Sequence, residues 1–358
     1  MSDQTVQNYN TLINKWSPIV YLHPEEKYFP CSIDWLNANS VLIDHNTQPP
    51  TIIQPVSNTA LYNVSSKYNF ERRVSGDIVQ SFTSELYPGQ IPINQVPIYA
   101  LVRELNDKLY ITYVFFYAKN GEYSILGLSN AGQHPADIEH ITVELNSDGS
   151  QLLRVLYSAH APKDARWIKA ENVPMEDGKI VVYSAVNGHG LYPSEGTVFR
   201  LFGLTNDYTE KGTKWEPRPI LVFLKDSPYF NVETMGWTVY NSRLGGTTEK
   251  GDASGITGFA DKSWVKNIDE LDENWYKPPT IFSKRVSTIL IQIKDLIVFT
   301  IVYFIILGLL KVVDQYVIKK NVGTYDLRDH LTTIIIVYVL YQIYKIGGGM
   351  LIKKFAPT

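Results

Sequence analysis

One stretch holds most of the chemistry this chain could do: Gln133-His134-Pro135-Ala136-Asp137-Ile138-Glu139-His140-Ile141-Thr142-Val143-Glu144-Leu145. Side chains alternate between the two faces of a strand. Read that way, Asp137, Glu139, Ile141, Val143 and Leu145 share one face, and Ile138, His140, Thr142 and Glu144 the other. Two carboxylates thus sit with three core-type residues. Burying two carboxylates side by side is costly unless a cation, an arginine or a shared proton lies between them. His134, just outside the expected strand, could complete a mixed oxygen and nitrogen site. Oxygen ligands favour calcium, magnesium or manganese, and an added histidine tilts toward manganese or zinc. The plainer alternative is a solvated strand end, with only 141–145 buried.

Two further histidines follow strand-like runs. Leu152–Ser158 leads into Ala159-His160, and Lys179–Ala185 leads into Asn187-Gly188-His189-Gly190. In a meander the ends of alternate strands collect at one edge, so His134, His160 and His189 could converge on Asp137 and Glu139. Each is also readable as an ordinary surface residue. No Gly-rich phosphate loop, dinucleotide fingerprint or Gly-x-Ser-x-Gly elbow is present. Cys31 is the only cysteine, which excludes an intramolecular disulfide and a cysteine zinc finger and reads as a small buried residue.

The elements that must position these side chains are short. Runs rich in Val, Ile, Tyr and Phe (Val96–Val102, Lys108–Tyr117, Glu139–Leu145, Leu152–Ser158, Lys179–Ala185, Thr197–Leu204, Pro219–Leu224) are separated by turn residues. Asn120-Gly121, Asp148-Gly149 and Asp177-Gly178 are hairpin or tight-turn signals. With no βαβ alternation, the expectation is mainly β: an antiparallel β-sandwich with long loops and a few short helices over 16–280, behind a polar segment at 1–15. The stretch 225–278 has no period and reads as a long loop region or insertion. No basic start followed by an apolar run suggests a cleavable signal.

The tail differs in kind. The chain has 358 residues and a formal net charge of -3, which disfavours a nucleic-acid partner driven by basicity. From Lys284 onward ten Lys/Arg stand against four acids, a net of +6, leaving -9 for the rest. Leu296–Leu310 carries no charge over 15 residues, nor does Leu331–Tyr344 over 14. Each run approaches the ~20 residues a bilayer core requires, once flanking lysines snorkel. The expectation is a C-terminal helical hairpin of two transmembrane helices, 286–313 and 331–352, joined by a polar loop at 314–330. Two buried helices of a soluble bundle, or a pair lying in the interface, are the alternatives. A hairpin returns the chain to the side it left, so the body and the C-terminus are expected on the cytosolic side of a multi-pass protein.

Several blocks, in order, resemble the vacuolar protein sorting-associated protein 62 family. They are Trp16-Ser17-Pro18-Ile19-Val20-Tyr21-Leu22-His23-Pro24-Glu25-Glu26-Lys27-Tyr28-Phe29-Pro30-Cys31-Ser32-Ile33-Asp34-Trp35, Phe116–Gly121 and Asp137-Ile138-Glu139-His140. Tyr157-Ser158-Ala159-His160, Asn187–Pro193, Asn206-Asp207 with Trp215, and Gly245-Gly246 complete the set over about 16–260. The resemblance implies a link to vacuolar protein delivery without a biochemical mechanism. A remoter similarity is to the heptad Gly-His-Arg-His-Asp-Trp-Glu of necrosis- and ethylene-inducing peptide-like proteins, which sits on a β-sandwich. Its first His, Asp and Glu fall at His134, Asp137 and Glu139, while Ala136 and Gln133 stand where it has its second His and its Gly. That likeness implies a divalent-cation site and carries no toxin activity over.

These readings combine into a membrane-anchored β-sandwich acting in binding or scaffolding, linked to vacuolar or membrane trafficking. Its expected cation ligands are His134, Asp137 and Glu139, with His160 and His189 nearby. Its expected partners are a bilayer through the tail and a protein or lipid ligand of the body. A metal-dependent hydrolase acting on lipid or glycan, with Glu139 or a histidine as base, is one alternative. A viral or host structural membrane protein is another.

Overall fold

The computed structural model describes residues 3–44, 47–67, 78–82, 92–125, 128–131, 133–160, 164–200, 205–244, 258–266, 280–316, 334, 335 and 338. The chain divides into two compact units, Met1–Tyr123 with Asn130–Phe199 and Asn206–Ile281, and Ser124–Ser129 with Arg200–Thr205 and Phe282–Thr358.

The first unit is mainly β. A six-stranded sheet runs in the order Arg166–Lys169, Leu152–Tyr157, His134–Asn146, Lys108–Asn120, Pro97–Leu105, Arg218–Val222. Each run of Val, Ile, Tyr and Phe singled out in the sequence forms a strand over its described residues, Thr197–Leu204 only as far as Arg200. The hairpin at its centre turns through Asn106 and Asp107, both at positive φ, between the paired residues Leu105 and Lys108. That is the backbone a two-residue primed turn demands, and Asn and Asp tolerate it best after Gly. Asp177-Gly178 closes a second such hairpin, between Glu176 and Lys179.

A second sheet joins Met175–Glu176, Lys179–Ser184, Ile19–Leu22 and Lys214–Trp215, with Leu191–Tyr192 against Lys179–Ser184. The two sheets share one core. Val20, Leu22, Ile180, Val182, Leu191 and Trp215 meet Ile111, Tyr113, Phe115, Tyr117, Ile141, Val143 and Val155 there.

The antiparallel expectation fails at three pairings among the described residues, one of them Arg243–Leu244 against Ile78–Phe82. Ile19–Leu22 runs parallel to Lys179–Ser184, and Arg218–Val222 runs parallel to Pro97–Leu105. Parallel neighbours need long crossovers, and these pairs lie far apart in sequence, where local turn signals say nothing.

The outer face of the six-stranded sheet is dry as well. Tyr99, Val114, Phe116, Ile138 and Val222 pack against Leu36, Leu61, Trp237, Tyr240 and Phe259. The described parts of 225–278 are therefore a cover rather than a loose insertion: Trp237, Tyr240 and Phe259 are all buried. A sheet buried on both faces reads as near-continuous apolar strands, and Lys108–Asn120 does so.

The polar N-terminal segment forms a helix, Asp3–Lys15, and Tyr9 and Ile13 enter the main core while Val6 and Leu12 pack beside it. Spacings of three and four residues put these on one helical face, which a reading of average polarity conceals.

In the second unit one helix, Lys284–Tyr316, carries the apolar run. Its segment Lys284–Ile306 is long and apolar enough to cross a membrane and is not buried inside the structure. The connecting loop from 317 on and the second expected span at 331–352 lie outside the described residues, apart from the exposed helical positions Ile334, Ile335 and Tyr338. Gly245-Gly246 lies outside them as well. Among the described residues there is one such helix and no hairpin of two.

Candidate functional site

The strand carrying the two acids begins at His134 and pairs with Lys108–Asn120 so that Tyr117 lies opposite Asp137 and Phe115 opposite Glu139. Directly opposed residues share a face. Both acids therefore point into the space between the sheets, as period two requires, and both are buried. They do not lie at a solvated strand end.

His189 reaches them from the neighbouring sheet. After Lys179–Ser184 the chain makes a tight loop in which the His189 amide donates to Ala185 O and the Ala185 amide to Gly190 O. Asn187 and His189 hold φ of 65° and 53° there. Non-Gly residues at positive φ cluster where a surrounding structure needs them. Two others, Ala136 and His160, stand at 55° and 46° in the same neighbourhood.

The loop turns a fully buried His189 ring flat onto Tyr117, with centroids 3.7 Å apart and planes 6° from parallel. Its Nδ1 is 3.0 Å from Asp137 Oδ2, its Nε2 3.1 Å from the Tyr28 carbonyl oxygen, and Glu26 Oε1 lies 3.8 Å from Nε2.

Glu26 is the member sequence reasoning missed. Its Oε1 accepts the amides of Lys27 and Tyr28, and its Oε2 accepts the amide of Asn187 at 2.9 Å. The carboxylate thus ties the 23–28 segment to the histidine loop. Gly121 permits the junction: its amide donates to Asn187 O at 2.7 Å, and a Cβ there would collide with the Tyr28 ring and lie 2.7 Å from Asn187 Cβ. Asn120-Gly121 is therefore a close-approach point rather than a hairpin turn.

The electrostatics divide the acids. Burial works against the Glu26 carboxylate, but His189 and the amide hydrogen bonds outweigh it and hold its pKa below the usual range. Asp137 behaves likewise: burial raises it, and His189 brings it below its ordinary value. Glu139 goes the other way, driven well up by burial and then by the Asp137 charge. For His189, burial pulls down, yet Glu26 and Asp137 lift it to about 10.

The remaining two expected residues stand at the same end of the fold. Nδ1 of His134 lies 2.8 Å from Ala136 O, which fixes the proton on that nitrogen, since a carbonyl can only accept. Nε2 of His160 lies 2.8 Å from Asp207 Oδ2, which also accepts the Tyr192 hydroxyl at 2.6 Å. His160 abuts Gly190, whose Cβ would sit 3.3 Å from its Nε2. The structure thus joins Asp137 directly to His189 and sets Glu139 beside them. His134 is held on the Ala136 carbonyl, and His160 on Asp207.

The sequence model of the family described as vacuolar protein sorting-associated protein 62 matches residues 2–69 and 109–213. The chain belongs to this family. The matched segments carry Glu26, Tyr28, Tyr117, Asp137, Glu139, His160, His189 and Asp207, the whole of the cluster just described. The family's Glu25-Glu26 and Asn206-Asp207 blocks were thus the signal that could have located Glu26 and Asp207.

No curated protein matches the chain. Solved structures similar to it include necrosis and ethylene inducing protein 2 from the causal agent of cocoa's witches' broom disease. That protein is 16% identical at a TM-score of 0.31, over 58% of this chain and 72% of that one. NLPPya in complex with mannosamine is 11% identical at 0.33, over 59% and 71%. The non-toxic HaNLP3 protein is 11% identical at 0.29, over 60% and 74%.

The divalent cation that the heptad implies would compete at Asp137 and His189 with hydrogen bonds already made. Asp137 Oδ1 accepts the Ile138 amide and Oδ2 faces His189. Both ring nitrogens of His189 already face oxygen acceptors. Among the described residues no three His, Cys, Asp or Glu side chains are placed to hold a metal ion.

Proposed function

We propose that this member of the vacuolar protein sorting-associated protein 62 family is a membrane-anchored binding module. The helix Lys284–Tyr316 holds the β-body at a bilayer, and the body recognises a protein or lipid there. The observation that carries the reading is the surface of that helix. Leu296, Ile297, Ile301, Phe304, Ile305 and Leu309 are all exposed. A run of large apolar side chains facing water loses roughly 25 cal/mol per Å², which lipid tails would restore. Thirty-three residues at the α-helical rise extend about 50 Å, more than a ~30 Å hydrocarbon core.

The family description supports a place in vacuolar protein sorting. A tether serves such a role because it raises the local concentration of a module whose ligand shares the membrane, so that modest affinity suffices. The body and the basic flank at Lys284 and Arg285 are assigned to the cytosolic face. This side follows from the hairpin expectation, in which six Lys/Arg (284, 285, 294, 345, 353, 354) face the cytosol against four (311, 319, 320, 328) in the connecting loop.

Flotation on neutral lipid vesicles tests the anchor. The full chain is expected to rise with the vesicles in high salt, and an Ile301→Lys/Phe304→Lys variant to rise less. Charges at a helix centre cost about 2.5–3.5 kcal/mol each on insertion scales. Full-length protein that stays at the bottom of the gradient contradicts the proposal.

A further inference from the structure

We propose that the protonated ring of His189 is itself the cation of the buried site, seated between Asp137 and Glu26 in place of a metal ion. The inference concerns the interior of the body and is independent of the membrane anchor.

The hydrogen-bonding inventory of the ring carries it. Nε2 lies 3.1 Å from the Tyr28 carbonyl oxygen. A carbonyl has no proton to give, so Nε2 must carry one and donate. Nδ1 lies 3.0 Å from Asp137 Oδ2. That carboxylate also accepts the Ile138 amide at 2.9 Å through Oδ1. A backbone donor on a carboxylate favours its charged, accept-only form. Facing that form, Nδ1 carries a proton as well, and a ring with two N–H groups is an imidazolium.

Its surroundings are built for a cation. The ring is fully buried, which would expel an isolated charge. Glu26 answers that cost with an oxygen 3.8 Å from Nε2. Its carboxylate is fixed in place by the amides of Lys27, Tyr28 and Asn187. The face of Tyr117, stacked at 3.7 Å, offers the negative side of an aromatic quadrupole to the ring. Two carboxylates, one carbonyl and one π-face surround the ring with negative and accepting groups, the environment a cation requires.

The position is also committed structurally. His189 adopts φ 53° so that its ring enters the site, a strain accepted at one residue of a six-residue loop closed by Ala185 and Gly190. A metal in this place would need a lone pair on one ring nitrogen and would displace either the Tyr28 carbonyl or Asp137 from it.

The experiment uses the full chain in detergent micelles at neutral pH. Protein equilibrated in turn with calcium, magnesium, manganese and zinc is desalted and its metal content measured, beside an Asp137→Asn variant. Nitrogen NMR on [15N]histidine-labelled chain reads the protonation of the ring, identified by the signal missing from a His189→Gln variant. The expected result is no metal in wild type beyond that in Asp137→Asn, and a ring with both nitrogens protonated. An equivalent of metal held by wild type and lost in Asp137→Asn, or a His189 ring with one bare nitrogen, overturns the proposal. The metal content of wild type stands without any variant, and vesicle flotation is unaffected by either outcome, so the two proposals fail separately.

Discussion

Around His189, each contact depends on the charge of the others. Removing one member of a buried ion pair leaves the partner uncompensated and typically costs about 3–5 kcal/mol. His189→Ala strands Glu26 and Asp137 together and is expected to destabilise by that order, measured by chemical denaturation of the full chain. A loss under ~1 kcal/mol would mean the carboxylates find solvent instead.

The pH dependence has a defined sign. The folded pKa of His189 is raised to about 10 from 6.5. Its contribution is therefore fully present below the unfolded value and lost as pH rises through about 10. Glu26 and Asp137 are lowered, so their contribution is present above their ordinary values and lost as pH falls through the depressed ones. Melting temperature plotted against pH for wild type minus His189→Gln should narrow on the alkaline side; parallel curves would refute the charged ring.

Asp137 and Glu139 were legible in sequence because period two puts them on one face with Ile141 and Val143. His189 was legible as a histidine closing a strand. Glu26 was not: the contact that defines it, to the Asn187 amide, spans 161 residues, and no local pattern encodes that.

At the level of elements, the strands were written plainly. Lys108–Asn120 and His134–Asn146 are rich in β-branched and aromatic residues. Pairing direction was not, since Ile19–Leu22 finds Lys179–Ser184 only through the finished fold. The N-terminal helix shows how averages mislead. Asn8, Asn10 and Asn14 make Asp3–Lys15 look polar, yet Ile13 is wholly buried and its carbonyl accepts the Tyr113 hydroxyl at 2.8 Å. The helix rests on the turn at Gly149, whose φ of 72° and proximity to Leu12 leave no room for a side chain. Trp16, just past its end, donates to Gly149 O at 3.1 Å.

Ile13→Ala is therefore expected to cost about 2–5 kcal/mol as a core truncation. Exposed Asn10→Ala should stay within about 0.5 kcal/mol. Equal, small effects of both in thermal melts would show that the helix is an appendage.

At the scale of the whole chain, an acidic body is followed by a basic, apolar tail. The helix of 33 residues turns large hydrophobic side chains outward, and its segment Lys284–Ile306 is long and apolar enough to cross a membrane. A bilayer accepts it because all its backbone groups are bonded within the segment. Composition made the apolar helix readable early, since fifteen uncharged residues in a row need no tertiary information to interpret. The distribution of lysine and arginine around the apolar runs, six against four, does not settle on which side the body lies.

The anchor is tested most directly by alkaline carbonate extraction of membranes from cells making the full chain. Carbonate strips proteins that adhere by charge or through partners and leaves those whose helices cross the lipid. The account predicts that the chain stays in the membrane pellet. Its release into the supernatant would contradict the account.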